Sequence, residues 1–221
     1  MTTIKKFKTF LALSVVAGLI YGVGWSTLFA ITSVEVTGAP TVATKQLVLN
    51  KIGFTSGDNL ARIPPHEVEG NVEKIGWVLQ ARVSRDWLNK TLAVTVLPRT
   101  PIAIYKGVVI DRYGVRFQSP TAIPTPLPQL VAASPQLGVD AYSLLRTLPL
   151  AFRKKITRIE VRPGTNYFLT ITEGEKVISL IWGDNDVNPR KVQVYEFLRL
   201  RLENKDATQY DLSSPNSPVV K

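Results

Sequence analysis

Residues 79–96 read LQARVSRDWLNKTLAVTV, and this stretch decides the fold. From Leu79 to Val83 apolar and polar residues alternate, so Leu79, Ala81 and Val83 lie on one face of a strand and Gln80 and Arg82 on the other. Leu92 to Val96 repeats the alternation, and Asp86 to Lys90 between them makes a turn. The pair predicts a hairpin in which Val83 and Val94 face the same side. An isolated hairpin is marginal in water, so its apolar face must be covered by neighbouring elements.

The residues before it supply the cover. Thr32 to Gly38 alternates around Val34 and Val36 and reads as a short strand ended by glycine. Thr44 is expected to cap a helix over Lys45 to Ile52, with Gly53 as its stop. Gly57-Asp58-Asn59 is turn-like. Pro64-Pro65 opens a second helix that fades near Gly76. The order β-α-α-β-β within about 70 residues predicts a three-stranded sheet with two helices on one face.

Further upstream, Thr9 to Ile31 contains no charged residue. A helix of that length, at about 1.5 Å per residue, covers the hydrocarbon core of a bilayer. Lys5, Lys6 and Lys8 precede it, and the first positive residue beyond it is Lys45. The positive-inside rule places the N-terminus in the cytoplasm and about 190 residues outside. The competing reading is a cleaved signal peptide. The apolar run is long for that, and Leu28-Phe29-Ala30 makes a poor cleavage site.

Downstream, Ile102–Lys106, Val108–Asp111 and Val115–Phe117 are strand candidates, and Ser119 to Pro128, with four prolines, is an extended loop. A helix is expected over Asp140–Leu148. Strands are expected over Thr157–Arg162, Tyr167–Thr172 and Val177–Trp182. Val187 to Glu203 reads as an amphipathic helix with Val194, Tyr195, Leu198 and Leu202 on one stripe. A last strand is expected over Gln209–Leu212.

Composition excludes much chemistry. There is no cysteine, so disulfides, thiolate nucleophiles and cysteine-ligated metals are out. The single histidine, His66, has no nucleophile or orienting partner in view and reads as a solvated residue at a helix start. Asp184-Asn185-Asp186 lacks the glycine and glutamate of a calcium loop and reads as a helix-capping turn. No cofactor, metal or small-molecule substrate is expected, and an enzyme is not. The 27 basic and 17 acidic residues leave a formal charge of +10, which favours anionic surfaces or partners. An extracytoplasmic location argues against nucleic acid.

Four motifs, in order, carry a resemblance: Val34-x-Val36-x-Gly38; Gly57-x-Asn59-Leu60; Ala81-x-Val83-x-Arg85-x-Trp87; and Leu92-x-Val94-x-Val96-x-x-Arg99-x-Pro101-Ile102-Ala103. Together they resemble the POTRA domain of the FtsQ/DivIB family of bacterial cell-division proteins. Val109-Ile110-Asp111-x-x-Gly114-x-x-Phe117, Trp182-Gly183 with Lys191, and Tyr210 to Asn216 are similar to that family's β-domain. Leu88 stands where the family commonly has proline after the tryptophan, and Ser214 where some members carry an aromatic residue.

The resemblance implies an α+β protein: a cytoplasmic tail (1–8), a transmembrane helix (9–31), a POTRA domain (32–100) and a mostly antiparallel β-domain with a short C-terminal tail (101–221). It implies a non-enzymatic scaffold at the division septum. The partners implied are the plasma membrane and single-span division proteins similar to FtsB/DivIC and FtsL. The strand from Gln209 to Ser214 is expected at a sheet edge, where Pro215 and Pro218 stop the ladder and a partner adds a strand. The expected contact residues are Tyr210, Asp211, Leu212, Ser213, Ser214 and Pro215, with Arg162 or Lys191 attracting an acidic segment. Two alternatives compete: a POTRA-bearing secretion or envelope-assembly protein, and a basic protein binding cell-wall polymer.

Overall fold

The chain from Ser33 to Pro98 runs β1 (Ser33–Thr37), α1 (Val42–Ile52), α2 (Pro65–Glu73), β2 (Val78–Asp86) and β3 (Thr91–Pro98), which is the expected β-α-α-β-β order. The computed structural model describes residues 10–18, 21–22, 27–123, 126–164 and 166–221. The chain divides into two units, Met1–Arg99 and Thr100–Lys221.

In the first unit β3 is central, with β1 parallel on one side and β2 antiparallel on the other. Val83 lies opposite Val94, and Val94 opposite Val36, so all three share a face. Val48 and Ile52 from α1 and Val68 and Val72 from α2 are buried with them. Val83 itself is only half-buried, because β2 is an edge strand. Leu79 falls at an irregularity in the β2–β3 register, between Val78 and Gln80, and Val78 is the buried residue there. The expected cap at Thr44 is shifted. Thr41 is the N-cap, accepting from the Thr44 N–H, while the Thr44 hydroxyl accepts from the Thr41 N–H. The two threonines therefore form a reciprocal capping box. Gly53 ends α1 in the left-handed conformation, with φ 74°. Gly38 is required twice over: its φ is 81°, and a Cβ there would collide with the carbonyl oxygen of Val96.

The expected cytoplasmic tail lies outside the described residues. Positions 10–18 and 21–22 of the expected span are helical. No helix among the described residues is long and apolar enough to cross a membrane. The span's expected end at Ile31 is overturned. Thr27–Phe29 is a 3-10 turn, Ala30 bridges to Asn59, and Ile31 is 2% exposed. The Ile31 N–H donates to the Asp58 carbonyl at 2.7 Å, and its own carbonyl accepts from the Gly57 N–H at 2.9 Å. Backbone groups tied into a loop in this way belong to the folded unit, not to a continuing membrane helix.

The second unit holds β4 (Pro101–Tyr105), β5 (Val108–Asp111), β6 (Arg116–Phe117) and β7 (Gln129–Val131), followed by α3 (Gly138–Thr147) and α4 (Leu150–Arg153). It continues with β8 (Ile156–Arg162), β9 (Asn166–Glu173), β10 (Lys176–Gly183), α5 (Asn188–Arg199), β11 (Gln209–Asp211) and β12 (Val219–Val220). Among the described residues one sheet carries nine strands in the order β12-β11-β10-β9-β8-β7-β4-β5-β6. Tyr105, Leu130, Ile159, Leu169, Leu180 and Tyr210 are successive register partners across it, and all are buried. Against this row pack Leu144, Leu145 and Phe152 from the first two helices and Val192 and Tyr195 from α5.

The expected amphipathic helix stops early. Leu202 is 85% exposed in a separate 3-10 turn, and α5 buries Asn188, Lys191, Val192 and Tyr195. The sequence gives Lys191 no reason to face inward. Its ammonium is buried because four oxygens converge on it: the Trp182 and Asp184 carbonyls, each at 2.9 Å, Asp184 Oδ1 at 3.2 Å and Asp186 Oδ1 at 2.9 Å. The two aspartates therefore do not cap α5. Val187 holds that position with no side-chain cap, at φ 36°.

Candidate partner-binding edges

A β-sheet offers a partner its unpaired edges, so the ends of the two sheets are where binding by strand addition must be sought. The expected site is not one of them. β11 pairs with β10 in parallel on one side and with β12 antiparallel on the other. Pro215 and Pro218 do not stop the ladder. Ser214 to Ser217 is a turn closed by the Ser217 N–H on the Ser214 carbonyl at 2.9 Å, and it leads the chain back as β12. The sequence signal for β12 is two valines behind a proline, too short to be read as a strand.

The expected contact residues are dispersed by this arrangement. Tyr210 and Leu212 are 2% and 0% exposed and face the core, so their side chains cannot meet a partner. The Leu212 N–H donates to the Ile181 carbonyl at 2.8 Å. Asp211 turns back on its own loop, accepting from the Ser213 N–H at 3.0 Å and the Ser213 hydroxyl at 2.6 Å. Ser213 and Ser214 are exposed in the turn, and Pro215 is half-buried there. Arg162 stands apart on β8, three strand spacings from β11, or roughly 14 Å. It pairs with Glu160 at 2.6 Å and stacks over Phe168 at 3.8 Å. Lys191 is buried and saturated, so it attracts no partner.

β12 is the outer strand at this end of the sheet. Lys221 exchanges hydrogen bonds with Gln209 in both directions, donating at 2.9 Å and accepting at 3.0 Å. In an antiparallel ladder such pairs alternate with pairs whose amides point outward. Val220, opposite Tyr210, is therefore the residue whose N–H and carbonyl face away from β11. Beside it, on the sheet face away from the helices, Ile181, Gln209, Asp211, Val219 and Lys221 line a depression of about 200 Å³. Its lining combines the apolar Ile181 and Val219 with the polar Gln209, the carboxylate of Asp211 and the ammonium of Lys221.

The corresponding edge of the first unit, β2, is partly closed. Glu73 Oε1 accepts from the Ala81 N–H at 3.0 Å, and Glu69 Oε1 accepts from the Val83 N–H at 2.9 Å. The two glutamates reach from α2 and occupy the donors that an added strand would use. The Val83 N–H is the main cause holding the Glu69 carboxyl below its ordinary value of 4.5, with His66 adding to the effect through its 3.0 Å contact. His66 is 98% exposed at the start of the helix. A group whose folded pKa is depressed contributes stability above its unfolded pKa and loses it as the pH falls through the folded value. Replacing both glutamates by alanine is expected to cost about 1 kcal/mol per lost hydrogen bond. It should also free the edge for self-association. Sedimentation of the double variant checks this, and an unchanged monomer of unchanged stability would refute it.

Among the described residues no group of acidic or histidine side chains is placed to hold a metal ion. The fold of the first unit, a three-stranded mixed sheet under two helices, defines a POTRA-type domain. Residues 29–99 match the family model of the POTRA domain, FtsQ-type. The match, which spans less than half of the chain, makes this domain similar to FtsQ-type POTRA domains. No curated protein matches the chain significantly. An FtsQ-type POTRA domain suggests a scaffold role in cell division, in a class that is typically non-enzymatic.

Proposed function

We propose that this chain is a bitopic scaffold of the bacterial divisome, acting at the septum without catalysis. It is anchored by a single span within residues 9–26, and its bulk lies outside the cytoplasm. A helix of eighteen residues would extend about 27 Å, close to the hydrocarbon thickness. The apolar side chains at Phe10, Leu11, Leu13, Val15 and Val16 are at least half exposed, as lipid-facing residues are. The three lysines ahead of the span set its orientation.

The observation that carries the binding role is the outward-facing backbone of β12. The partner is a single-span division protein of the FtsB/DivIC type, with an FtsL-like protein in the same assembly. An extracytoplasmic segment of the partner adds a strand beside Val220, and one of its side chains enters the depression over Ile181 and Val219. Arg162 lies too far along the sheet to take part in the strand contact itself. Its charge belongs to the basic surplus that speeds encounter with an acidic segment.

Leu212→Pro would not test this, since it removes a bonded N–H in the core and should unfold the unit. Val220→Pro removes only the outward N–H. Capture of the partner's extracytoplasmic segment by the full-length Val220→Pro chain is expected to weaken about fivefold, the equivalent of one hydrogen bond near 1 kcal/mol. A fluorescent fusion should still reach mid-cell. Wild-type capture by a folded Val220→Pro chain would remove β12 as the site. A uniform envelope signal would remove the division role.

A further inference from the structure

The β2–β3 hairpin ends in an apolar tip beside the Thr27–Phe29 turn. Leu88 is 94% exposed, Leu28 68% and Trp87 41%. Single exposed apolar residues are ordinary on protein surfaces. These three are not scattered. The Trp87 ring meets the Phe29 ring edge-on at 5.5 Å, which joins the hairpin tip to the Thr27–Phe29 turn. The Thr32 N–H and hydroxyl both donate to the Lys90 carbonyl, at 2.8 and 3.1 Å. Thr27–Phe29 is a single 3-10 turn of roughly 6 Å. On the single-span reading, a tip in ring contact with Phe29 stands within interfacial depth of a bilayer whose surface lies just ahead of Thr27.

The tip is also rigid. Asp86 Oδ1 accepts from the N–H groups of Leu88 and Asn89, at 3.1 and 2.9 Å, and Oδ2 accepts from the Asn89 side chain at 2.7 Å. Lys90 closes the turn with φ 54°. The Arg85 guanidinium stacks over Trp87 at 5.1 Å, so cationic groups flank the apolar ones. Tryptophan at the headgroup level, leucine below it and basic residues toward anionic lipid form the chemistry of an interfacial anchor. Leu88, where the family commonly has proline, enlarges the apolar area without touching the core.

We propose that the β2–β3 hairpin tip, Trp87 and Leu88 with Leu28 beside them, inserts into the interfacial layer of the membrane that the span crosses. It would fix the POTRA domain against the bilayer at a second point. The inference rests on the single-span reading above. The absence of cysteine makes the test direct. Single-cysteine variants of the full chain, at Leu88, Leu97 and Leu11, are labelled with an environment-sensitive fluorophore. They are then reconstituted in vesicles of phosphatidylcholine and phosphatidylglycerol. Leu97, 51% exposed near the other end of β3, is the control. At Leu88 the label should emit to the blue and lose intensity with shallow spin-labelled lipids. At Leu97 it should stay water-like. Water-like emission at Leu88, quenched by iodide, with lipid quenching kept at Leu11, would overturn the docked tip and leave the span standing. Loss of lipid quenching at Leu11 as well would overturn the single-span reading and this inference with it.

Discussion

Val94→Asp is expected to abolish cooperative folding of the first unit. Val94 is 1% exposed on the central strand, with Val36 and Val83 as its register partners on either side. A carboxylate there has no cation within the core and no path to water, so its burial costs several kcal/mol. A small domain holds only about 5–15 kcal/mol in total. Val83→Asp, on the same face, should be far milder, about 1–2 kcal/mol, because β2 is an edge and the side chain can reach solvent. Amide hydrogen exchange across residues 33–98 of the full chain reads both. Protection should vanish in the first variant and persist in the second. Equal losses would mean that the two positions are equally buried and the sheet order is wrong.

The second large effect concerns the Lys191 ammonium. Lys191 is fully buried, while the side chains of Asp184 and Asp186 are 63% and 60% exposed. Removing the lysine and removing the acids are therefore not equivalent. Asp184→Ala with Asp186→Ala leaves a buried cation with carbonyl partners alone, which should cost about 3–5 kcal/mol. Lys191→Met keeps an apolar chain of similar length and leaves the Trp182 carbonyl unpaired, at about 1–3 kcal/mol. The double variant should unfold roughly 10–15 °C lower, and the methionine variant should lie between it and wild type. The reverse ranking would show that the ammonium is better hydrated than its burial implies.

Acid should act on the same cluster. The hydrogen bond from Lys191 is the main cause holding the Asp184 carboxyl below its ordinary value of 3.8. The stability it supplies is present above that ordinary value and is lost as the pH falls through the lower folded one.

The sequence read most clearly where the rules are local. Period-two alternation located β2, β3, β8, β9 and β10 to within two or three residues, and Pro65 and Gly53 marked helix ends because their backbone preferences do not depend on context. It read least well where a neighbour distant in sequence decides. Thr44 looked like a cap until Thr41 completed a reciprocal pair with it. Leu202 fitted a helical stripe, but the helix ends at Arg199 and leaves it in solvent. β7 lay hidden beyond a proline-rich loop and forms only because Ile104 and Arg158 offer parallel partners to Gln129.

The candidate site divides in the same way. The sequence by itself determined that a sheet domain follows the β-α-α-β-β unit and that no cysteine chemistry is available. Its reading of Gln209 to Ser214 as an exposed edge failed. Only the tertiary structure decided that β12 folds back over β11 and passes the open edge to Val220, that Lys191 turns inward, and that Trp87 meets Phe29 of the Thr27–Phe29 turn. The physical reason is that alternation and propensity fix which face of a strand is apolar. Which strand is outermost depends on pairings between residues far apart in the chain, and a two-residue strand such as β12 has no stability or sequence signature apart from the neighbour it pairs with.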